Sequence, residues 1–176
     1  HRDLDTDFAN LDDHWQTVAA KSGESFSLAC RVAAMLASDD PHAVEAYAKY
    51  GLNLGMLVQI GDDIRGVWHP LGPIDLLHGN KTLPVSYALS VGDETMSAHL
   101  REVLKRASND LCWAMEARRI LSEVGAIEYL FAEAEVRRGQ ALRALPETED
   151  SEAQAHLLSI LDQVSPRLDL GDGGLC

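Results

Sequence analysis

Apolar residues recur three and four positions apart along most of this chain, a spacing typical of helices with one buried face. The repeat predicts a first helix over residues 12–36. A second begins at Pro41, a residue suited to a first helical turn, and runs to about Ile64. Five further segments within residues 82–164 share this spacing and are closed by Gly, Pro or polar turns. No alternating, strand-like pattern competes with them, so the sequence predicts an all-α helical bundle.

The charge balance excludes some classes of partner. Asp and Glu total 28 against 15 Lys and Arg, which gives a formal net charge of −13. This excess opposes sequence-independent binding to nucleic acid and to anionic membrane surfaces. An anionic substrate would therefore need a local cationic site or a bound divalent metal ion.

The cysteines and the apolar runs indicate the compartment and the domain organisation. The 3 cysteines are widely spaced and include no C-x-x-C pair, which argues against a disulfide framework and a zinc site and favours a reducing cytoplasm. No apolar run is long enough for a membrane span, and we recognise no signal peptide. We expect one domain over residues 1–165, followed by a flexible, Gly-rich tail over residues 166–176.

The segment "YGLNLGMLVQIGDDIRG", residues 50–66, places two aspartates at the predicted end of the second helix. Negative charge there costs a few tenths of a kcal/mol, roughly, unless a cation lies nearby. Gln59 and Asp62 are expected to share a face, with Asp63 about 100° around the helix. Such a cluster of hard oxygens suits Mg²⁺, although an isolated Asp pair is more often a solvated helix end. Gly51 and Gly55, unfavourable within a helix, indicate close packing or close substrate approach.

Two other segments carry cations beside polar residues. In "AAKSGESF", Lys21 interrupts an apolar helix face and precedes Ser22, so it either reaches the surface or points at a phosphate. In "GNKTLPV", a glycine turn presents Lys81 and Thr82 just before a new helix, and helix N-termini with a nearby cation can bind anions.

In this order and spacing, Lys-Ser-Gly, then "YGxxxGxxxQIxDDI", then "DLxxGxKTLP" resemble the C-terminal half of the trans-isoprenyl diphosphate synthases, the polyprenyl synthetases. The match covers residues 15–90, and the geranylgeranyl and longer-chain bacterial enzymes are the most similar in character. The resemblance implies an isoprenoid-synthase-type fold, in which helices surround a central cavity.

The resemblance also implies the activity and the roles of individual residues. The family condenses an allylic diphosphate with isopentenyl diphosphate to give a longer trans-polyprenyl diphosphate. By position, Lys21, Ser22 and Lys81 correspond to diphosphate-binding residues. Gln59 corresponds to a glutamine that helps to hold the allylic group.

The metal-binding residues follow in the same way. Asp62 and Asp63 correspond to the first two acids of the family's second aspartate-rich motif, which binds Mg²⁺. With Lys21 and Gln59, they form the catalytic set that the resemblance implies.

Three departures separate the chain from the family pattern. Gly66 stands where the motif has its last aspartate, and Asn80 stands where the family has lysine. The family's first DDxxD motif is expected about a hundred residues before Lys21. This sequence begins only about twenty residues before Lys21 and does not contain this motif. The acids at residues 3–7 and 12–16 lie too near Lys21 to replace it.

Several readings follow from these departures. We expect either that the N-terminal half is absent, cleaved or on another chain, or that this is a half-fold without independent catalysis. The resemblance implies a homodimer, as is usual in the family, or pairing with the missing half. The alternatives to a prenyltransferase are a class I terpene synthase and a non-catalytic helical subunit.

Overall fold

The computed structural model describes residues 10–145 and 151–166, and these residues form α-helices and one π-helical turn, with no strand. The all-α prediction is therefore confirmed for this part of the chain. In chain order the elements are α1 (Leu11–Val18), the π-helical turn (Ala19–Gly23), α2 (Glu24–Ala37), α3 (Pro41–Trp68), α4 (Ile74–Leu77), α5 (Leu83–Val91), α6 (Glu94–Ala107), α7 (Leu111–Glu123), α8 (Ala126–Ala144) and α9 (Ser151–Val164).

Polar caps fix where several of these helices begin. The side chain of Asp40 accepts a hydrogen bond of 2.9 Å from the His42 amide, directly before the predicted start of α3 at Pro41. Asp93 caps α6 in the same way, accepting from the Met96 amide at 2.8 Å. These caps satisfy amides that have no partner within the helix and so stabilise the first turn of each helix.

The first predicted helix forms over residues 11–37, but the π-helical turn Ala19–Gly23 replaces regular α-helix at Lys21 and Ser22. Turns of this kind inside helices are rare and frequently lie at functional sites. The periodicity of apolar residues does not reveal a single wide turn, so the sequence prediction missed it.

The second predicted helix is longer than expected, and the prediction that it ends on the two aspartates is wrong. Helix α3 continues to Trp68, so Asp62 and Asp63 lie more than one turn before its end. Val67 is fully buried in this extension, which gives the last turn a reason to form. The helix stops just before His69 and Pro70, since the residue before a proline disfavours helical geometry.

Helix α3 is the central element, packing against α2, α5, α8 and α9. Two of its four glycines, Gly51 and Gly55, lie close to the backbone of neighbouring segments. A Cβ atom on Gly51 would lie 2.5 Å from the carbonyl oxygen of Phe26, and one on Gly55 would lie 2.5 Å from the carbonyl oxygen of Ser22. Close packing is thus the reason for both glycines, and it brings the π-helical turn against α3.

The segment between α3 and α5 contains the short helix α4. No helix in the described ranges is long and apolar enough to cross a membrane. Of the predicted tail, residues 167–176 lie outside the described residues, as do the acids at residues 3–7, so the domain limits stay a prediction.

Candidate active site

Three of the predicted site residues form one hydrogen-bonded chain between separate segments. Ser22 Oγ donates to Gln59 Oε1 at 2.9 Å, and Gln59 Nε2 donates to Asp63 Oδ1 at 2.8 Å. The other carboxylate oxygen, Asp63 Oδ2, accepts from the Leu83 amide at 2.7 Å. Below, we call these four residues the relay: Ser22, Gln59, Asp63 and Leu83. It joins the π-helical turn, α3 and the first residue of α5, and so unites the three motifs found in the sequence.

The position of Asp63 differs from the sequence expectation. Gln59 pairs with Asp63, four residues further along α3, and not with Asp62, three residues further. Asp63 is only 5% exposed. Burial raises the pKa of its carboxyl group above the usual range, while the hydrogen bonds from Leu83 and Gln59 oppose that rise.

Asp62 lies in the opposite environment. Its carboxylate is exposed, and Oδ1 lies 2.5 Å from Arg65 Nη2, one turn further along α3. Arg65 therefore supplies the cation that the acidic helix segment was expected to need. Since both side chains are largely exposed, this pair is weakly stabilising, and either partner can be displaced by a ligand.

The two predicted lysines flank the relay in sequence. Lys21 is exposed in the π-helical turn, next to Ser22, so its apolar surroundings in the sequence did not mean burial. Lys81 is exposed two residues before Leu83. Thr82, which lies between Lys81 and Leu83, is 3% exposed. Within the described residues, its hydroxyl oxygen is buried without a hydrogen-bond partner.

His14 is a neighbour of Lys81 that sequence reasoning did not select. Its Nδ1 lies 2.8 Å from Ser86 Oγ, which connects α1 to α5. Burial, and to a lesser extent the charge of Lys81, lower the pKa of His14 below its ordinary value. No spacing signal could have identified it, because the contact joins residues far apart in sequence.

Two of the sequence departures meet at a single carboxylate that the sequence analysis also missed. Asn80 Nδ2 donates to Asp75 Oδ1 at 2.7 Å. A Cβ atom on Gly66 would lie 1.7 Å from Asp75 Oδ2, so Asp75 occupies the space that a side chain at position 66 would need. Position 66 therefore lacks the third aspartate of the motif, but the Asp75 carboxylate, which belongs to α4, lies against this position of α3.

The donor set fits Mg²⁺ in a limited way. Within the described ranges, no three His, Cys, Asp or Glu side chains are gathered to hold a metal ion. Mg²⁺ does not require such a cage, because it is commonly bound through one or two carboxylates together with substrate phosphates and water. The exposed Asp62 suits that role. The Asp75 carboxylate from α4 lies against Gly66, four residues after Asp62 on α3.

A family model named polyprenyl synthetase matches residues 1–120 of the chain. The chain belongs to the polyprenyl synthetase family. It is 30% identical over 149 residues to a decaprenyl-diphosphate synthase from Dictyostelium discoideum, a match that covers 80% of the chain and 32% of that protein. The chain spans about a third to a half of the length of the curated relatives it matches.

Solved structures of the polyprenyl synthetase family share the fold. A geranylgeranyl pyrophosphate synthetase from Pyrococcus horikoshii superposes with a TM-score of 0.79 at 23% identity, over 90% of this chain and 50% of that one. A geranylgeranyl pyrophosphate synthase from Corynebacterium glutamicum, solved with calcium and isoprenyl diphosphate, gives 0.72 at 28% identity, over 89% and 51%. The isoprenoid-synthase-type fold predicted from the motifs is thereby confirmed.

Proposed function

We propose that this chain forms the diphosphate-leaving-group half of a Mg²⁺-dependent trans-prenyltransferase, which condenses an allylic diphosphate with isopentenyl diphosphate. The relay carries this proposal, because one set of buried and partly buried hydrogen bonds brings the Lys-Ser turn, the aspartate segment of α3 and the Lys81 turn to one place. The relatives described above are all prenyl diphosphate synthases, which favours this reaction over that of a terpene synthase.

The chain's own residues would bind and orient the diphosphate. Lys21 and Lys81 are exposed cations that adjoin the relay in sequence and would bind the diphosphate, and Asp62 would hold Mg²⁺ after releasing Arg65. When bound, Mg²⁺ would offset the charge that develops on the departing diphosphate. Asp63, which the resemblance also assigns to the metal, is buried and hydrogen-bonded within the relay.

A further polypeptide is part of the proposal. Leu28, Val32, Met35 and Leu36 lie four, three and one residues apart on α2 and are 48–86% exposed. A contiguous apolar helix face of this kind is typical of an interface. We propose that a second copy of the chain, or helices equivalent to the rest of the relatives' length, cover this face and complete the cavity. The cytoplasm is the compartment that the cysteine pattern favours.

The test of binding is a thermal unfolding series with Mg²⁺ and pyrophosphate. Ligand at a hundred times its Kd stabilises by about 2.7 kcal/mol, which raises Tm by roughly 5–10 °C for a chain of this size. Both components together should give this shift, and either alone should not. Replacing Lys21 with Ala should weaken pyrophosphate binding about tenfold or more, since a charged hydrogen bond contributes about 1.5–3 kcal/mol.

The test of catalysis uses labelled isopentenyl diphosphate with dimethylallyl, geranyl or farnesyl diphosphate, with and without the proposed second polypeptide. Chain elongation that disappears in Asp62→Ala would support the prenyltransferase. A hydrocarbon formed without isopentenyl diphosphate would indicate a terpene synthase. Absence of both turnover and pyrophosphate binding would indicate a non-catalytic helical subunit.

A further inference from the structure

We propose that Asp63 is a positioning residue that holds the Lys81 turn and Gln59 in place, and that it does not bind the metal ion. The part about the metal rests on the proposed function; the part about positioning does not. Asp62 and Asp63, both of which the resemblance assigns to the metal, would then have different roles.

Burial, together with two hydrogen bonds, leaves the Asp63 carboxylate inaccessible to a hydrated metal ion. Each carboxylate oxygen accepts a short hydrogen bond, from Gln59 Nε2 at 2.8 Å and from the Leu83 amide at 2.7 Å. Asp63 as a whole is 5% exposed, whereas the side chain of Asp62 is 55% exposed. Mg²⁺ requires close, nearly octahedral coordination and retains several waters, so it needs the accessible carboxylate.

The bond to Leu83 acts on the segment that carries a predicted substrate residue. Leu83 is the first residue of α5, and its amide is one of those without a partner inside the helix. Thr82 precedes it and contributes no side-chain cap. Asp63 therefore takes the place of the missing cap, from 20 positions earlier in the sequence, and fixes the backbone just after Lys81.

The other oxygen acts through Gln59 on the opposite segment. Gln59 Oε1 accepts from Ser22 Oγ at 2.9 Å, and Ser22 follows Lys21 directly. Asp63 thus contacts the backbone two residues after Lys81 directly, and through Gln59 it connects to the Ser22 side chain next to Lys21. Removing the Asp63 side chain would let Lys21 and Lys81 move relative to each other. None of the hydrogen bonds of the relay joins Asp63 to either lysine.

Two substitutions of Asp63 separate the loss of its charge from the loss of its hydrogen bonds. In Asp63→Asn, the side-chain oxygen of the new asparagine can still accept a hydrogen bond from the Leu83 amide. Its NH₂ group can donate to Gln59 Oε1 if the side-chain amide of Gln59 rotates by about 180°. Gln59 Nε2 then donates to Ser22 Oγ, because a hydroxyl can accept as well as donate. The relay survives with its direction reversed and its charge removed. Asp63→Ala, in contrast, leaves the Leu83 amide without its acceptor.

The first measurement is hydrogen exchange of the Leu83 amide by NMR in the wild-type chain, Asp63→Asn and Asp63→Ala. Wild type and Asp63→Asn should protect this amide similarly, and Asp63→Ala should exchange at least about tenfold faster, as expected when a buried hydrogen bond of more than about 1.4 kcal/mol is lost. Equal protection in the wild type and Asp63→Ala, or loss of protection in Asp63→Asn, would overturn the positioning role.

The second measurement titrates Mn²⁺, a paramagnetic substitute for Mg²⁺, in the presence of pyrophosphate. Asp62→Asn is the matched control, since it removes the neighbouring carboxylate. It should weaken metal binding about tenfold or more, while Asp63→Asn should stay within about twofold. If Asp63→Asn weakens binding as much as Asp62→Asn does, Asp63 is a ligand and the proposal is wrong.

A double-mutant cycle tests whether Asp63 acts through Lys81. The losses in pyrophosphate affinity caused by Asp63→Ala and Lys81→Ala should be strongly non-additive, since the first change displaces the group that the second removes. Additive losses would contradict the positioning role. If the wild-type chain binds no pyrophosphate with Mg²⁺, the proposed function fails, and the exchange of the Leu83 amide alone decides the role of Asp63.

Discussion

The approach of α3 to the π-helical turn makes Gly55 the most informative position for a stability test. In an isolated helix, Gly55→Ala would stabilise by about 1 kcal/mol, because alanine loses less backbone freedom. In this fold the new Cβ atom would lie 2.5 Å from the Ser22 carbonyl oxygen and 3.0 Å from the Gly23 Cα, where ordinary contact begins at 3.4 Å. The obstructing atoms belong to the backbone and cannot rotate away.

The magnitude follows from these two opposing effects. Overpacking costs about 1–3 kcal/mol, and a rigid neighbour places this case at the upper end. After subtracting the helix-propensity gain, we expect a net loss of about 2 kcal/mol, or roughly 4–8 °C in Tm. Separating the segments by roughly 0.9 Å, the shortfall from ordinary contact, would also stretch the 2.9 Å bond between Ser22 and Gln59 beyond hydrogen-bond distance.

The assay is thermal unfolding, with Gly139→Ala in α8 as the matched control. A Cβ atom on Gly139 would meet only the flexible Arg143 side chain, at 3.4 Å, so this change should stabilise the chain by about 0.5–1 kcal/mol. The reasoning is refuted if both substitutions raise Tm, because the helices would then have room for the methyl group.

Three other predictions concern separate parts of the structure. Gly66→Asp should lower Tm without strengthening Mn²⁺ binding, because Asp75 already occupies that space; tighter binding in Gly66→Asp than in wild type would contradict this. The lowered pKa of His14 means that the unfolded chain takes up a proton first, so its contribution to stability is present above about pH 6.5 and is lost as pH falls. Unfolding of His14→Gln between pH 7 and 5 should therefore be less pH-dependent than that of wild type, and an identical slope would argue against it. Met35→Lys with Leu36→Lys should leave Tm within about 2 °C of wild type but reduce self-association in sedimentation, and unchanged association would place the interface elsewhere.

The sequence by itself determined the helices and the three motifs. The spacing of apolar residues is a local property, and so are caps such as Asp40 before Pro41 and Asp93 before α6. The apolar spacing predicted the all-α fold, and the proline predicted the start of α3 at Pro41. The motifs predicted the family, because their order and spacing can be read directly from the sequence.

Only the tertiary structure decided what each site residue contacts. Asp62 and Asp63 are neighbours in sequence, yet one is exposed beside Arg65 and the other is buried between Gln59 and Leu83. Burial depends on which segments pack around a side chain, and no periodicity encodes that. The π-helical turn and the Asp75 carboxylate over position 66 have the same origin, since both depend on contacts between segments that folding brings together.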